Sequence, residues 1–239
     1  MDLPKKITPC PIVEAIIELR FEPDVPDEAV FGLIHRKIKD EYTHLQKLPI
    51  LDLPEYVKKN QPNLKFKPYY KFSNETYDIN LGPRVISLIK KEPYEGWQAF
   101  SESAKSILNK MNQLEIIKKI ERLGLRYINF FDGNIYDKVN LALTLGNESF
   151  IKEDTYIKNV FGKSGHKIIL QLGNNANLNK NNEVRKGSLL DVDVHLESLS
   201  NEFLMDSDDI LNSIHKNEKE IFFKLLEDNF IKELNPQYQ

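Results

Sequence analysis

The stretch Cys10–Phe21, CPIVEAIIELRF, constrains the fold more than any other part of the chain. Behind its prolines, Val13, Ala15, Ile17, Leu19 and Phe21 alternate with Glu14, Glu18 and Arg20. A strand sends successive side chains to opposite faces, so this period of two predicts a strand with one buried face and one polar face. A segment opening at Ile120, IERLGLRYINFF, echoes the pattern: Leu123, Leu125 and Tyr127 alternate with Arg122, Gly124 and Arg126. Ile12 and Ile120 are separated by the same distance along the chain as Trp97 and Met205, which predicts a fold built twice from one unit.

The intervening patterns fill in that unit. Asp27 is a plausible N-cap or first-turn acid for a helix over 27–42, in which Val30, Phe31, Ile34 and Ile38 recur at helical spacing. Pro49, Pro54 and Pro62 mark 44–64 as a long surface loop. Strands are expected at 65–73, 76–81 and 84–91, punctuated by Asn74-Glu75 and Gly82-Pro83. Trp97, Phe100, Ala104, Ile107, Leu108, Met111 and Leu114 then form one stripe of a helix over 95–114, with Trp97 expected to anchor its first turn in the core. The second half repeats the order: a helical stretch at 136–145, strands at 154–161, 166–172 and 188–197, and a closing helix from Ser207-Asp208. Leu211, Ile214, Phe222 and Leu225 share one face of that last helix. The Asn-rich run NNANLNKNNEVRKG between the last two strands reads as a mobile loop. The expected architecture is α+β: a large antiparallel sheet with helices on one face and two similar β-α-β-β-β-α halves, 1–118 and 119–239, in one inseparable unit.

Composition narrows the function classes. A net charge of −3 over 239 residues gives no global field toward nucleic acid, and no apolar run approaches the length of a membrane-spanning helix. The N-terminal MDLPKKITP lacks the apolar region of a signal peptide, so a cytoplasmic protein is expected. Cys10, the single cysteine, cannot form an internal disulfide and reads as a buried or inert thiol. Only Arg20, Arg36, Arg84, Arg122, Arg126 and Arg185 stand among 33 basic residues, which makes an arginine inside a strand more telling than a lysine.

One stripe carries candidate chemistry. In LLDVDVHLE, Asp191, Asp193, His195 and Glu197 fall on one strand face, opposite Leu190, Val192, Val194 and Leu196. Carboxylates and an imidazole at i, i+2, i+4 could hold a divalent metal or perform acid–base work, although alternation alone also predicts a solvent-facing polar stripe. Glu14, Glu18, Arg20, Arg122 and Arg126 project from the polar faces of their strands, and Lys67, Tyr69 and Lys71 would join from a third. The resulting face is mixed in charge, predicting cross-strand pairs such as Arg126 with Asp191 or Asp193 and arguing against strong binding to a phosphate backbone. His215 and Glu218, one turn apart on the last helix, read as a surface pair, and Ser188 after Gly187 lacks the flanks of a nucleophile elbow.

PIVEAIIELRF at 11–21, LGPRVISL at 81–88, Tyr94 with Gly96-Trp97 and Phe100, LGLRYIN at 123–129, GSLLDVDV at 187–194 and the C-terminal FFKLLEDNFIKELNP together form a recognisable set. Over almost its whole length the chain resembles a sporadically distributed family of prokaryotic proteins defined by an N-terminal Pro-Ile-Val-Glu-Ala signature. The resemblance implies bacterial or archaeal origin, a stand-alone unit of this length, and accessory genes such as phage defence or toxin–antitoxin systems. It supplies no catalytic residues.

Three functions compete on these observations. With no enzyme signature beside a well-patterned fold, the first is a non-enzymatic protein that binds a partner encoded nearby, or a second copy of itself, through the polar sheet face or the Asn-rich hairpin. A sensor of a small ligand or nucleotide would use Arg20, Arg126, Asp191, Asp193 and His195. A metal-assisted hydrolase would use Asp191, Asp193 and His195. No cofactor and no resident metal are expected.

Overall fold

In the computed structural model, residues 3–149, 154–180 and 183–238 are described. The first strand, β1 (Ile12–Pro23), realises the predicted alternation: Ala15, Ile17, Leu19 and Phe21 are at most 4% exposed, while Glu18 and Arg20 are half-buried. Burying each large apolar side chain contributes roughly 1.5–3 kcal/mol. Val13, expected on the same row, is only half-buried.

Helix α1 (Asp27–Ile38) follows, with Val30, Ile34 and Ile38 buried, acids in its first turn and His35, Arg36 and Lys37 in its last, as the helix dipole favours. Asp27 is a first-turn acid and caps no backbone amide; it accepts from Arg84 at 3.1 Å. The expected loop over 44–64 carries structure of its own: β2 (His44–Lys47), a 3-10 turn, α2 (Glu55–Asn60) and a second 3-10 turn. Its prolines sit where short helical turns begin, where a missing N–H costs nothing. Strands β3 (Tyr70–Ser73), β4 (Tyr77–Gly82) and β5 (Val85–Lys90) come next, β3 starting five residues later than expected, beyond Pro68. In α3 (Trp97–Asn112), Ala104, Ile107 and Leu108 meet Ile17, Leu19, Ile86 and Leu88. Trp97 is half-buried at the margin of the core, its ring centre 6.5 Å from that of the buried Phe100, and its indole N–H donates to Asn212 Oδ1 at 2.9 Å.

The strand predicted from Ile120 is β6 (Ile117–Asp132). No helix forms over 136–145. Tyr136–Lys138 is one 3-10 turn, after which the backbone of Asn140 donates to Leu225 O and its side chain to Leu226 O, holding the segment extended. A small hairpin of β7 (Thr144–Leu145) and β8 (Glu148–Ser149) stands apart from the main sheet. The Asn-rich run is not a loop: β9 (Tyr156–Lys163) is followed by β10 (His166–Lys180) and β11 (Glu183–Glu197), which carry strand structure through most of it, with Asn181 and Asn182 outside the described residues. Helices α4 (Asp208–Leu225) and α5 (Asp228–Glu233) close the chain.

The main sheet is antiparallel and nine-stranded, in the order β2-β3-β4-β5-β1-β6-β11-β10-β9. With the five helices among the described residues this makes an α+β fold. The two halves share the strand, the three-strand run and the long helix, but the missing helix after β6 breaks the repeat, and duplication is not shown. Two compact units arise from the described residues, one within Met1–Glu14, Arg126–Val194 and Ile214–Gln239, the other within Ala15–Leu125 and His195–Ser213. No described helix is long and apolar enough to cross a membrane.

Candidate functional site

In the first unit, Arg126 of β6 meets Asp191 of β11 as a two-pronged pair: Nε donates to Oδ1 at 2.8 Å and Nη2 to Oδ2 at 2.6 Å. Planar guanidinium and carboxylate fit this way with little loss of freedom, which distinguishes the pair from a loose surface contact. Gln171 Nε2 donates to the same Asp191 Oδ2 at 2.6 Å, and Tyr156 Oη donates to Gln171 Oε1 at 2.5 Å. The relay thus runs from the edge strand β9 across β10 and β11 to β6. The hydrogen bonds from Arg126 to Asp191, opposed by partial burial and reinforced by the charges of Asp191, Asp193 and Glu14, hold the Arg126 pKa above its usual value.

Asp191 is buried and both its oxygens are engaged by protein donors. Among the described residues no group of three or more His, Cys, Asp or Glu side chains is placed to hold a metal ion. Asp191→Asn keeps the shape but removes the charge. Because Arg126 remains 39% exposed, water screens part of the pair, and the expected loss is about 1–2 kcal/mol, read as a lower urea midpoint. An unchanged midpoint would show that the pair contributes nothing to folding.

The second unit gathers Glu18, Arg20 and Arg122. Glu18 Oε1 accepts from Arg20 Nε at 2.7 Å and from Arg122 Nη1 at 2.6 Å, while the Arg20 guanidinium lies 5.1 Å from the Phe66 ring centre. Arg122 folds back over Gly124, where a Cβ would come within 2.7 Å of its Nη1 and displace the guanidinium. His195 also belongs to this unit, buried, with Nε2 3.7 Å from the Glu197 carboxylate. Of the third-strand residues, Lys71 pairs with Asp78 at 2.7 Å, while Lys67 and Tyr69 precede β3. Burial works to raise the Asp78 pKa, yet hydrogen bonds from Lys71, Ser73 and Lys91 prevail and lower it.

Other expectations change. Cys10 is exposed. Ser188 is fully buried and structural: its Oγ donates to Gly133 O at 2.7 Å and accepts from Ile135 N at 3.0 Å, completing the turn after β6. His215 and Glu218 are not a surface pair. Tyr127 Oη lies 3.4 Å from His215 Nδ1, and burial, with the Lys219 charge, pushes the His215 pKa down to about 4. Glu218 is 3% exposed, and burial pushes its carboxyl well above the usual range, only partly offset by Lys219. Its Oε1 meets no hydrogen-bond donor among the described residues. The signal was present in the sequence: position 218 falls four residues after Ile214 and four before Phe222, inside the apolar stripe.

Gln171 and Tyr156 were missed because an uncharged amide and an aromatic in adjacent strands carry no motif. Their joining depends on the register that sets Tyr156 opposite Gly173 and Lys158 opposite Gln171. Of the charged candidates, Arg126 and Asp191 engage each other in one unit and Glu18, Arg20 and Arg122 do so in the other, while Glu14 is exposed. Comparison with protein-family models and with curated protein sequences returned no match.

Proposed function

We propose that this is a non-enzymatic interaction protein, working with a partner polypeptide or a second copy of itself, and that it binds through the β9 side of the sheet. The observation that carries this reading is the edge itself. Among the described residues β9 ends the strand order, with a neighbour on one side only, and it exposes Tyr156 at 65% and Val160 at 59%. An edge strand with unpaired backbone groups and apolar side chains in water is a template for another chain. The candidate acids and bases support binding over catalysis, since Arg126, Asp191 and Gln171, like Glu18, Arg20 and Arg122, are engaged with one another. The resemblance to the Pro-Ile-Val-Glu-Ala family adds an accessory prokaryotic role, such as phage defence or a toxin–antitoxin pair, with the partner encoded nearby.

Light scattering on the purified protein, followed by co-expression with the product of each adjacent gene, tests the reading. A stable homo-oligomer or a co-purifying complex is expected. A monomer at every concentration that captures neither neighbour would sink it.

A further inference from the structure

We infer that the segment received by β9 is an extended acidic strand in which an acid is flanked, two residues away on each side, by apolar residues. The inference rests on the interaction reading above and specifies its partner.

Charge supplies the first argument. Residues 154–190 contain Lys158, Lys163, Lys167, Lys180, Arg185 and Lys186 against only Asp154 and Glu183, in a chain whose net charge is −3. The basic excess is therefore local to β9, β10 and the first half of β11. Part of it is already used: Lys163 pairs with Glu220 at 2.7 Å, and Arg185 with Asp132 at 2.8 Å. Lys158, on the edge strand, is exposed and has no acidic partner among the described residues.

Register supplies the second. Tyr156, Lys158 and Val160 alternate along β9 and share a face, opposite Gly173, Gln171 and Ile169 of β10. A strand added to the outer edge of β9 lies about 4.8 Å away and pairs side chain against side chain on that face. Its residue beside Lys158 is then favoured to be Asp or Glu. The residues two positions before and after it cover Tyr156 and Val160, removing apolar surface from water. Backbone hydrogen bonds provide affinity, and this apolar–acid–apolar row provides selectivity. The face of β9 and β10 that carries Lys158 suits nucleic acid poorly, because among the described side chains it exposes only the lysines Lys158 and Lys167, too few to neutralise the phosphates of a strong complex.

The test uses fluorescence anisotropy with the full chain and three labelled probes: Thr-Val-Thr-Glu-Thr-Val-Thr, its Lys-for-Glu counterpart, and a single-stranded oligouridine. The Glu peptide is expected to bind about tenfold more tightly than the Lys peptide, and Lys158→Glu, on an exposed side chain, to reverse that preference. Equal binding of the two peptides, or a preference unchanged in Lys158→Glu, overturns the inference. Oligouridine binding more tightly than either peptide also overturns it, in favour of nucleic acid. If neither peptide binds while light scattering or co-expression yields a complex, the acidic strand falls and the interaction reading stands. If no complex forms either, both fall.

Discussion

Gly187→Ala is expected to destabilise the protein by about 3–5 kcal/mol, enough to abolish soluble expression if the wild type is ordinarily stable. A Cβ at this position would sit 2.1 Å from Phe131 O and 2.7 Å from Phe130 Cζ. The nearer obstacle is a backbone carbonyl, which cannot swing aside as a side-chain tip can. Relief therefore requires β11 to withdraw from β6, and Ser188, whose hydroxyl completes the Gly133–Ile135 turn, would move with it. Urea unfolding of Gly187→Ala beside wild type measures the effect. A loss under about 1 kcal/mol would show that the two strands separate more easily than their packing implies.

Glu218→Gln is expected to stabilise the protein, and to do so more as pH rises. Burial keeps the Glu218 carboxyl protonated in the folded state at pH values where an unfolded chain releases the proton. Its folded pKa is raised, so its contribution is fully present below the unfolded value, near 4.3, and is lost as pH climbs through the folded one. His215 runs the other way. Its folded pKa is depressed to about 4, so its contribution is present above the unfolded value and is lost as pH falls toward 4. Glutamine removes the first dependence and leaves the second. Relative to pH 5, the advantage of Glu218→Gln at pH 8 is expected to grow by about 2 kcal/mol, or roughly 4–8 °C in melting temperature for a chain of this size. A difference in Tm that is the same at both pH values would mean that Glu218 is charged in the folded protein.

The network around Arg126 shows how far sequence patterning reaches. Alternation in IERLGLRYINFF and LLDVDVHLE put Arg126, Asp191 and Asp193 on polar strand faces and named Arg126 with Asp191 or Asp193 as an ion pair, and the pair with Asp191 forms. Alternation also placed His195 in line with Asp191, but among the described residues the stripe does not assemble as a metal site, and both Asp191 oxygens are engaged by Arg126 and Gln171. A strand pattern reports which way a side chain points. It carries no record of which neighbouring strand lies beside it, or in what register. Glu218 is the complementary case: it reads as a surface residue by its charge, yet it lies between Ile214 and Phe222 on the apolar stripe and is buried. Periodicity prevailed, since the helix cannot turn one residue outward without exposing Ile214 and Phe222, and the carboxyl yields by holding its proton.

Local pattern alone was enough for the elements with a strong period and clear punctuation: β1, the core of α3, the hairpins on either side of β4, and the arginine and aspartate that pair across β6 and β11. It failed where neighbours set the conformation. The 136–145 segment has helical spacing, yet backbone bonds to the end of α4 hold it extended. The Asn-rich run has loop composition, yet its described residues belong to β10 and β11, which are hydrogen-bonded neighbours in the sheet. Periodicity and propensity act over a few residues, whereas strand pairing joins groups far apart in the chain. A polar segment's fate thus rests on whether a partner strand meets its amides.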